Sequence, residues 1–273
     1  MDDDSLLDSI DGGVATLTLN QPGKLNPLDT VLQCRLREAV ARVQVNPAVR
    51  VLVITGTGRA FCAGANLPAL WAETGGHQAL ATRIADAVRD ISNPLITELR
   101  QSRVPVVAAV NGLAAGAGVG LALAADIVIA ARSAYFYLPF VPRLGILPDL
   151  GTTWFLPRLA GKARATALAL LGDRLTAEAA ERWGLIWQCV DDPALTEATR
   201  QIALALAALP DGVALELRRA LDVSETNALE TQLRYEADRQ RRLLHSPDFT
   251  EGVSAFLARR DPQFPGRAAG GAA

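Results

Sequence analysis

Two glycine-rich loops hold the residues best suited to chemistry in this chain. One is Phe61-Cys62-Ala63-Gly64-Ala65-Asn66. The other is Asn111-Gly112-Leu113-Ala114-Ala115-Gly116-Ala117-Gly118. Each follows an apolar run that reads as a buried strand, and each leads toward a helix. The first turn of a helix leaves backbone N–H groups without partners. Glycine and alanine let a ligand approach that backbone closely. Two such donors aimed at one point make an oxyanion hole, which serves reactions that build negative charge on a carbonyl oxygen. Tight strand-to-helix packing also selects glycine, so one such loop is weak evidence. Two in this order and context are more specific.

Among the acids, Asp149 precedes Leu150-Gly151-Thr152-Thr153 and reads as a helix N-cap. A helix N-terminus lowers a carboxyl pKa, whereas an apolar pocket raises it. A base working near neutral pH needs the second effect to win. His77 and His245 are the only histidines, and neither lies in a nucleophile motif. They read as surface residues, which argues against a Ser/His/Asp mechanism. Cys34, Cys62 and Cys189 are too scattered for a disulfide or metal pattern. They fit a reducing cytoplasm, and no metal site is expected.

Composition bounds the remaining classes. The chain has 273 residues, half of them apolar and 21% charged, with a net charge of −2. A large core is available, and neither a nucleic-acid partner nor a membrane surface is implied. An anionic ligand must therefore be held by local features. The acidic start, Asp2-Asp3-Asp4, is the reverse of a basic signal-peptide start. The apolar stretch from Val104 to Ala131 is broken by Asn111, several glycines and Asp126. A spanning helix needs about 20 predominantly apolar residues without such breaks.

The elements that position the loops follow from periodicity. Strands are predicted at Val14–Leu19, Arg50–Thr55, Val104–Val110, Asp126–Ala131 and Leu185–Val190. Asp29 should cap a helix running to Val45. A helical pattern covers His77–Gln101, kinked or restarted at Pro94, and a short apolar helix covers Ala117–Ala124. From Thr152 onward helices dominate, at 153–160, 163–171, 177–183, 195–208, 213–223, 228–244 and 252–260. Strand and helix thus alternate first, and helix follows. This divides the chain into a core over 1–200, a helical region over 201–266, and a disordered, small-residue tail over 267–273.

Three segments resemble the crotonase (enoyl-CoA hydratase/isomerase) superfamily. They are Leu17–Asn20 with Lys24-Leu25-Asn26, Gly58–Ala65, and Ala109–Gly112 with Gly116–Gly118. The resemblance covers roughly residues 10 to 266. It implies an α/β fold, a spiral of ββα units with a C-terminal helical trimerisation region, and assembly as a homotrimer or hexamer. It assigns the oxyanion-hole donors to the backbone N–H groups of Ala65 and Ala117. Coenzyme A would be held by Lys24, Leu25, Asn26 and Ala63, with Phe256 and Arg259 contributing from a neighbouring subunit. From the residues alone, Lys24–Asn26 also reads as an ordinary turn, Phe256 as core packing, and Arg259 as a solvated helix end.

The reaction is constrained by what is missing. Hydratases of this family use two glutamates, the first two residues after Gly118 and the second near Pro139-Phe140. Here Gly120 stands at the first position, and no acid occurs between Asp126 and Asp149. Some isomerase and dehalogenase relatives carry an acid near Asp149. The runs Gly151–Gly161, Ala163–Gly172 and Trp183–Gln188 with Asp191-Asp192 resemble the 1,2-epoxyphenylacetyl-CoA isomerase subgroup, which rearranges an epoxide ring to an oxepin and shifts double bonds. The resemblance thus implies an acyl-CoA isomerase with Asp149 as proton-transfer residue and no cofactor beyond the CoA of the substrate. The alternatives are hydration or hydrolysis using Asp149 alone, or acyl-CoA binding without turnover. The segment Phe140–Gly145 is about one residue longer than the family pattern, which bears on the shape of the acyl pocket.

Overall fold

The computed structural model describes residues 4–74 and 76–264. The expected tail at 267–273 and the first three residues lie outside the described residues. β1 (Leu6–Asp11) and β2 (Val14–Leu19) form an antiparallel hairpin turned by Gly12 and Gly13, both at positive φ. β1 leaves no apolar alternation in the sequence because only Leu6 of it is buried. In α1 (Thr30–Val45) the Asp29 carboxylate accepts from Leu32 N–H at 2.8 Å, the cap the sequence predicts. Leu32, Leu36, Val40 and Val43 form its buried stripe.

The core is built from strand pairs. β3 (Val51–Gly56) and β4 (Ala60–Cys62) are the first, β5 (Val106–Val110) and β6 (Leu113–Ala115) the second, and β7 (Ile127–Ala131) and β8 (Tyr135–Tyr137) the third. The first strand of each pair enters a sheet ordered β1-β2-β3-β5-β7-β10, where β10 is Gln188–Val190. The second enters a smaller sheet ordered β4-β6-β8-β9, where β9 is Leu175–Thr176. All neighbours are parallel except β1 with β2 and β8 with β9. Helices follow each pair, so the chain climbs as the ββα spiral that the resemblance implies. β4, β6 and β8 are three residues each, too short for a period-2 signal, and they hide inside the glycine-rich loops and turns.

The region after β4 differs from one long helix. α2 (Leu67–Thr74) precedes α3 (His77–Ala87), a π-helical turn spans Val88–Ser92, and α4 is Asn93–Arg100. Pro94 sits in the first turn of α4, where its missing N–H costs no hydrogen bond. α5 (Ala117–Leu123) is buried along its whole length. A second π-helical turn, Phe140–Leu144, coincides with the segment that is one residue too long. A π turn takes up an additional residue per turn and is common at functional sites.

α6 (Thr152–Ala160), α7 (Lys162–Leu171) and α8 (Ala177–Trp183) complete the spiral. α9 (Leu195–Ala207) buries Leu195, Thr199 and Ala203 against β3, β5 and β7, so residue 200 lies within one core helix. α10 (Val213–Ser224), α11 (Leu229–Leu244) and α12 (Pro247–Ala258) follow. α12 begins at Pro247, capped by the Ser246 hydroxyl, five residues before the predicted start, because exposed Phe249 and the polar first turn leave no apolar stripe there. Among the described residues no helix is long and apolar enough to cross a membrane.

Candidate active site

The two glycine-rich loops are pressed together. β4 leads into Ala63, whose N–H donates to the Leu25 carbonyl at 3.0 Å, and the Gly64 carbonyl accepts from Leu28 N–H at 2.9 Å. This ties the first loop to the 25–28 segment. Gly64, at φ 79°, leaves no room for a side chain: a Cβ there would lie 2.8 Å from the Ala115 carbonyl oxygen and 3.2 Å from Ala117 N. A Cβ on Gly118 would lie 2.3 Å from the Cys62 carbonyl oxygen. Gly116, at φ 53° and ψ −125°, turns β6 into α5. Among the described residues the N–H groups of Ala65 and Ala117 have no hydrogen-bond partner. Two unpaired donors therefore flank one contact between loops, the arrangement an oxyanion requires.

Asp149 is brought to the same place by α5. A Cβ on Gly120 would lie 2.5 Å from the Leu150 carbonyl oxygen, 2.7 Å from Leu150 Cβ and 3.0 Å from Thr152 Oγ1. The turn 149–152 thus lies directly on α5 at Gly120. Residues three apart share a helix face and differ by about 4.5 Å along the axis, so this turn sits one helical turn from the Ala117 N–H. The packing also explains the missing glutamate, since any side chain at position 120 would collide with this turn. Phe140 stands where the second acid is expected. It is buried, and its ring lies 3.7 Å from where a Cβ of Gly116 would be, an apolar wall beside the oxyanion loop.

The N-cap reading of Asp149 is corrected by the geometry. The cap of α6 is Gly151, at φ 75°, with no side-chain cap. Asp149 supplies only its backbone carbonyl, which accepts from Thr152 N–H at 2.9 Å. Its Oδ1 is buried without a hydrogen-bond partner. Burial pushes the carboxyl up to about 6, against a smaller opposing effect of its own backbone N–H. The apolar setting wins over the helix end, which poises the group to exchange a proton near neutral pH. Leu150, buried at φ 47°, carries the strain of holding the turn in this shape. Thr152 also escapes sequence reading. Its Oγ1 is buried without a partner beside Gly120, and its only sequence signal is a threonine following Gly151.

The residues expected to bind coenzyme A fall into two groups. Lys24 is exposed at the end of a 3-10 turn, and Leu25, at φ 64°, sits against Ala63. The Asn26 side chain is committed elsewhere. Its Oδ1 accepts from Gln21 N–H at 2.7 Å, and its Nδ2 donates to the Thr57 and Ala60 carbonyls at 2.9 and 2.7 Å. The Asn26 side chain thus shapes the loop. Phe256 and Arg259 lie on α12 and at its C-terminal end, where α12 packs on α11. Phe256 is 82% exposed, so it is not core. Within one chain these two are not gathered with the loops. His77 and His245 are exposed.

The spiral is the crotonase fold. Residues 9–267 match the enoyl-CoA hydratase/isomerase family, and the chain belongs to it. Escherichia coli 1,2-epoxyphenylacetyl-CoA isomerase is 47% identical over 263 residues, covering 96% of this chain and 98% of that protein. E. coli 2,3-dehydroadipyl-CoA hydratase is 34% identical over 254 residues, covering 93% and 96%. The crystal structure of an enoyl-CoA hydratase from Polaromonas superposes with a TM-score of 0.88 at 32% identity, covering 95% of this chain and 99% of that one. Both isomerases and hydratases of acyl-CoA thioesters are therefore among its relatives.

Proposed function

We propose that this protein is an acyl-CoA isomerase that shifts a double bond or rearranges a ring through a thioester enolate. Asp149 takes a proton from the carbon next to the thioester, or from the allylic carbon, and returns it elsewhere. The thioester oxygen gains negative charge and is held by Ala65 and Ala117 N–H. The observation that carries this reading is a buried carboxyl at about 6 with an unpaired Oδ1, on a turn packed one helical turn from two free N–H donors. Moving a proton along an enolate needs one base and an oxyanion hole. Adding water needs a further group to orient the water, and the family positions for that hold Gly120 and apolar Phe140. Losing one oxyanion donor costs about 3–4 kcal/mol in the transition state. No metal or redox cofactor enters this scheme.

Coenzyme A runs past Lys24, Leu25 and the Ala63 backbone, and Phe256 and Arg259 reach it from a neighbouring subunit in a homotrimer or a hexamer of paired trimers. Exposed Leu229, Leu233, Phe256 and Leu257 on α11 and α12 support that assembly, because one chain leaves them uncovered. The reducing cytoplasm is the compartment its free cysteines suit.

The test offers a 3-enoyl-CoA and a 2-trans-enoyl-CoA of equal chain length and compares kcat/KM for isomerisation and hydration. Isomerisation should exceed hydration, and Asp149→Asn should lower it about 10²–10⁴-fold with folding intact. Efficient hydration surviving in Asp149→Asn would overturn the reading. Tight acyl-CoA binding with neither reaction would indicate a non-catalytic binder.

A further inference from the structure

Two side-chain oxygens on one turn lack partners: Asp149 Oδ1 and Thr152 Oγ1. Thr152 is 0% exposed. The turn is closed by Thr152 N–H donating to the Asp149 carbonyl at 2.9 Å, so both residues belong to one tight turn, three positions apart. Neither oxygen reaches the other within hydrogen-bond distance, because each is without a partner. Buried polar atoms are paired in nearly all native structures, and leaving two unmet is costly. A polar contact too long to be direct is commonly closed by one water, and a buried water needs two or more polar partners. A hydroxyl can accept from such a water or donate to it, while an ionised carboxylate only accepts.

We propose that Thr152 is a positioning residue for Asp149, its hydroxyl holding one buried water against Oδ1. The inference rests on Asp149 being the proton-transfer group. Anchoring Oδ1 fixes the rotation of the carboxylate and leaves its other oxygen for the substrate carbon. The water's donated hydrogen bond also favours the ionised form and moderates the effect of burial. No charged neighbour does this work. α5 carries no titratable side chain, Arg158 of α6 pairs with Glu225 and stacks on Trp154, and Arg143 of the Phe140–Leu144 turn is exposed. Gly120 makes the arrangement possible, because a Cβ there would press to 3.0 Å from Thr152 Oγ1 and push the turn away.

The experiment compares Thr152→Val, which keeps the shape and removes the hydroxyl, with Thr152→Ser, which keeps the hydroxyl. The Asp149 carboxyl is titrated by carbon-13 NMR, assigned with Asp149→Asn, and kcat and KM for isomerisation of a 3-enoyl-CoA are measured against pH. In Thr152→Val the titration should move up by about one unit. The acidic limb of kcat/KM should follow it, and kcat should fall several-fold with KM unchanged. Thr152→Ser should restore wild-type values. A titration and kcat in Thr152→Val equal to wild type would overturn the inference, as would equal impairment in both variants. If Thr152→Val fails to fold, a high-resolution crystal structure of the wild type decides: a water within hydrogen-bond distance of both oxygens supports the inference, and its absence there overturns it. Full activity in Asp149→Asn would instead sink the proton-transfer reading, while the NMR titration would still judge Thr152.

Discussion

β5 and α12 dispose of their apolar residues in opposite ways. Every residue of β5 is buried between neighbours on both sides, as strands of a covered parallel sheet must be. Of α12 only Ala255 is buried, while Phe256 and Leu257 stand 82% and 75% exposed. The same contrast runs through the molecule. The spiral closes on itself, and everything that forms the candidate oxyanion hole and base comes from it. The last three helices bury almost nothing within the chain, and α10 is fastened to the core by two side chains, Asp222, which accepts from Arg100 at 2.8 Å, and Arg218. Arg218, 3% exposed as a side chain, makes a two-pronged ion pair with Asp126 at 2.7 and 2.6 Å and donates to the Arg100 and Ser102 carbonyls at 2.8 Å. A chain organised this way has a closed core that carries the candidate site and an arm whose apolar side chains lie uncovered.

The contrast can be broken at its fastening. Arg218→Ala leaves Asp126 with only the Val106 N–H at 2.8 Å and Arg100 at 4.0 Å, and removing one partner of a buried pair costs up to about 3–5 kcal/mol. Chemical denaturation should register that loss, and proteolysis should cut the arm before the core. Equal protection of both parts would mean that α10 is held by something else.

A smaller effect is expected within the core. Gly120→Ala places a Cβ 2.5 Å from the Leu150 carbonyl oxygen, and overpacking of this kind costs about 1–3 kcal/mol. The displaced turn should lower kcat more than it raises KM, since it carries Asp149 and leaves Lys24 and Leu25 in place. Wild-type kcat in this variant would show that the turn does not carry the reacting group.

Asp149 should also reveal itself through stability. Its folded pKa, about 6, lies above the ordinary 3.8. The fold therefore prefers the neutral carboxyl; that contribution is fully present below about pH 4 and is lost as pH rises through about 6. Discounted for partial exposure, the loss is on the order of 1–2 kcal/mol. Asp149→Asn should match the wild-type Tm at pH 4 and exceed it at pH 7.5. A constant difference across that range would remove the burial argument. In the wild type, activity should fall as pH drops through about 6, because a proton-accepting base must be ionised.

The smallest effect on the single chain belongs to the arm. Phe256→Ser with Leu257→Ser changes exposed positions and should alter folding stability by no more than about 0.5 kcal/mol each. Sedimentation should nonetheless shift toward monomer, and KM for acyl-CoA should rise. An unchanged assembly would locate the subunit contact elsewhere.

Much of the fold was legible in the residues themselves. Asp29 capping α1, the buried runs of β3, β5 and β7, and most helices from Thr152 onward follow from local pattern, because capping and apolar periodicity are short-range properties. The paired loops were visible through glycine, whose freedom of conformation and lack of Cβ are intrinsic to the residue. The resemblance supplied their assignment to Ala65 and Ala117. The length excess at Phe140–Gly145 was visible as a misfit to the family pattern. What local pattern could not supply was adjacency. Local pattern reads Asp149 as a cap, Lys24–Asn26 as an ordinary turn and Phe256 as core, because it presents each only among its chain neighbours. Tertiary packing decided what pattern could not: Gly151 took the cap, the Asn26 amide bonded three backbone groups up to 34 residues away, and Phe256 was left outside. The pKa of Asp149 belongs to the same class, since desolvation is imposed by distant residues that close over the turn. Composition and periodicity determined the longer strands and most of the helices, but not the three-residue strands β4, β6 and β8. Only the close approach of Gly120 to Leu150 and of Gly64 to Ala117 brought the turn that carries Asp149 onto the helix that follows the paired loops.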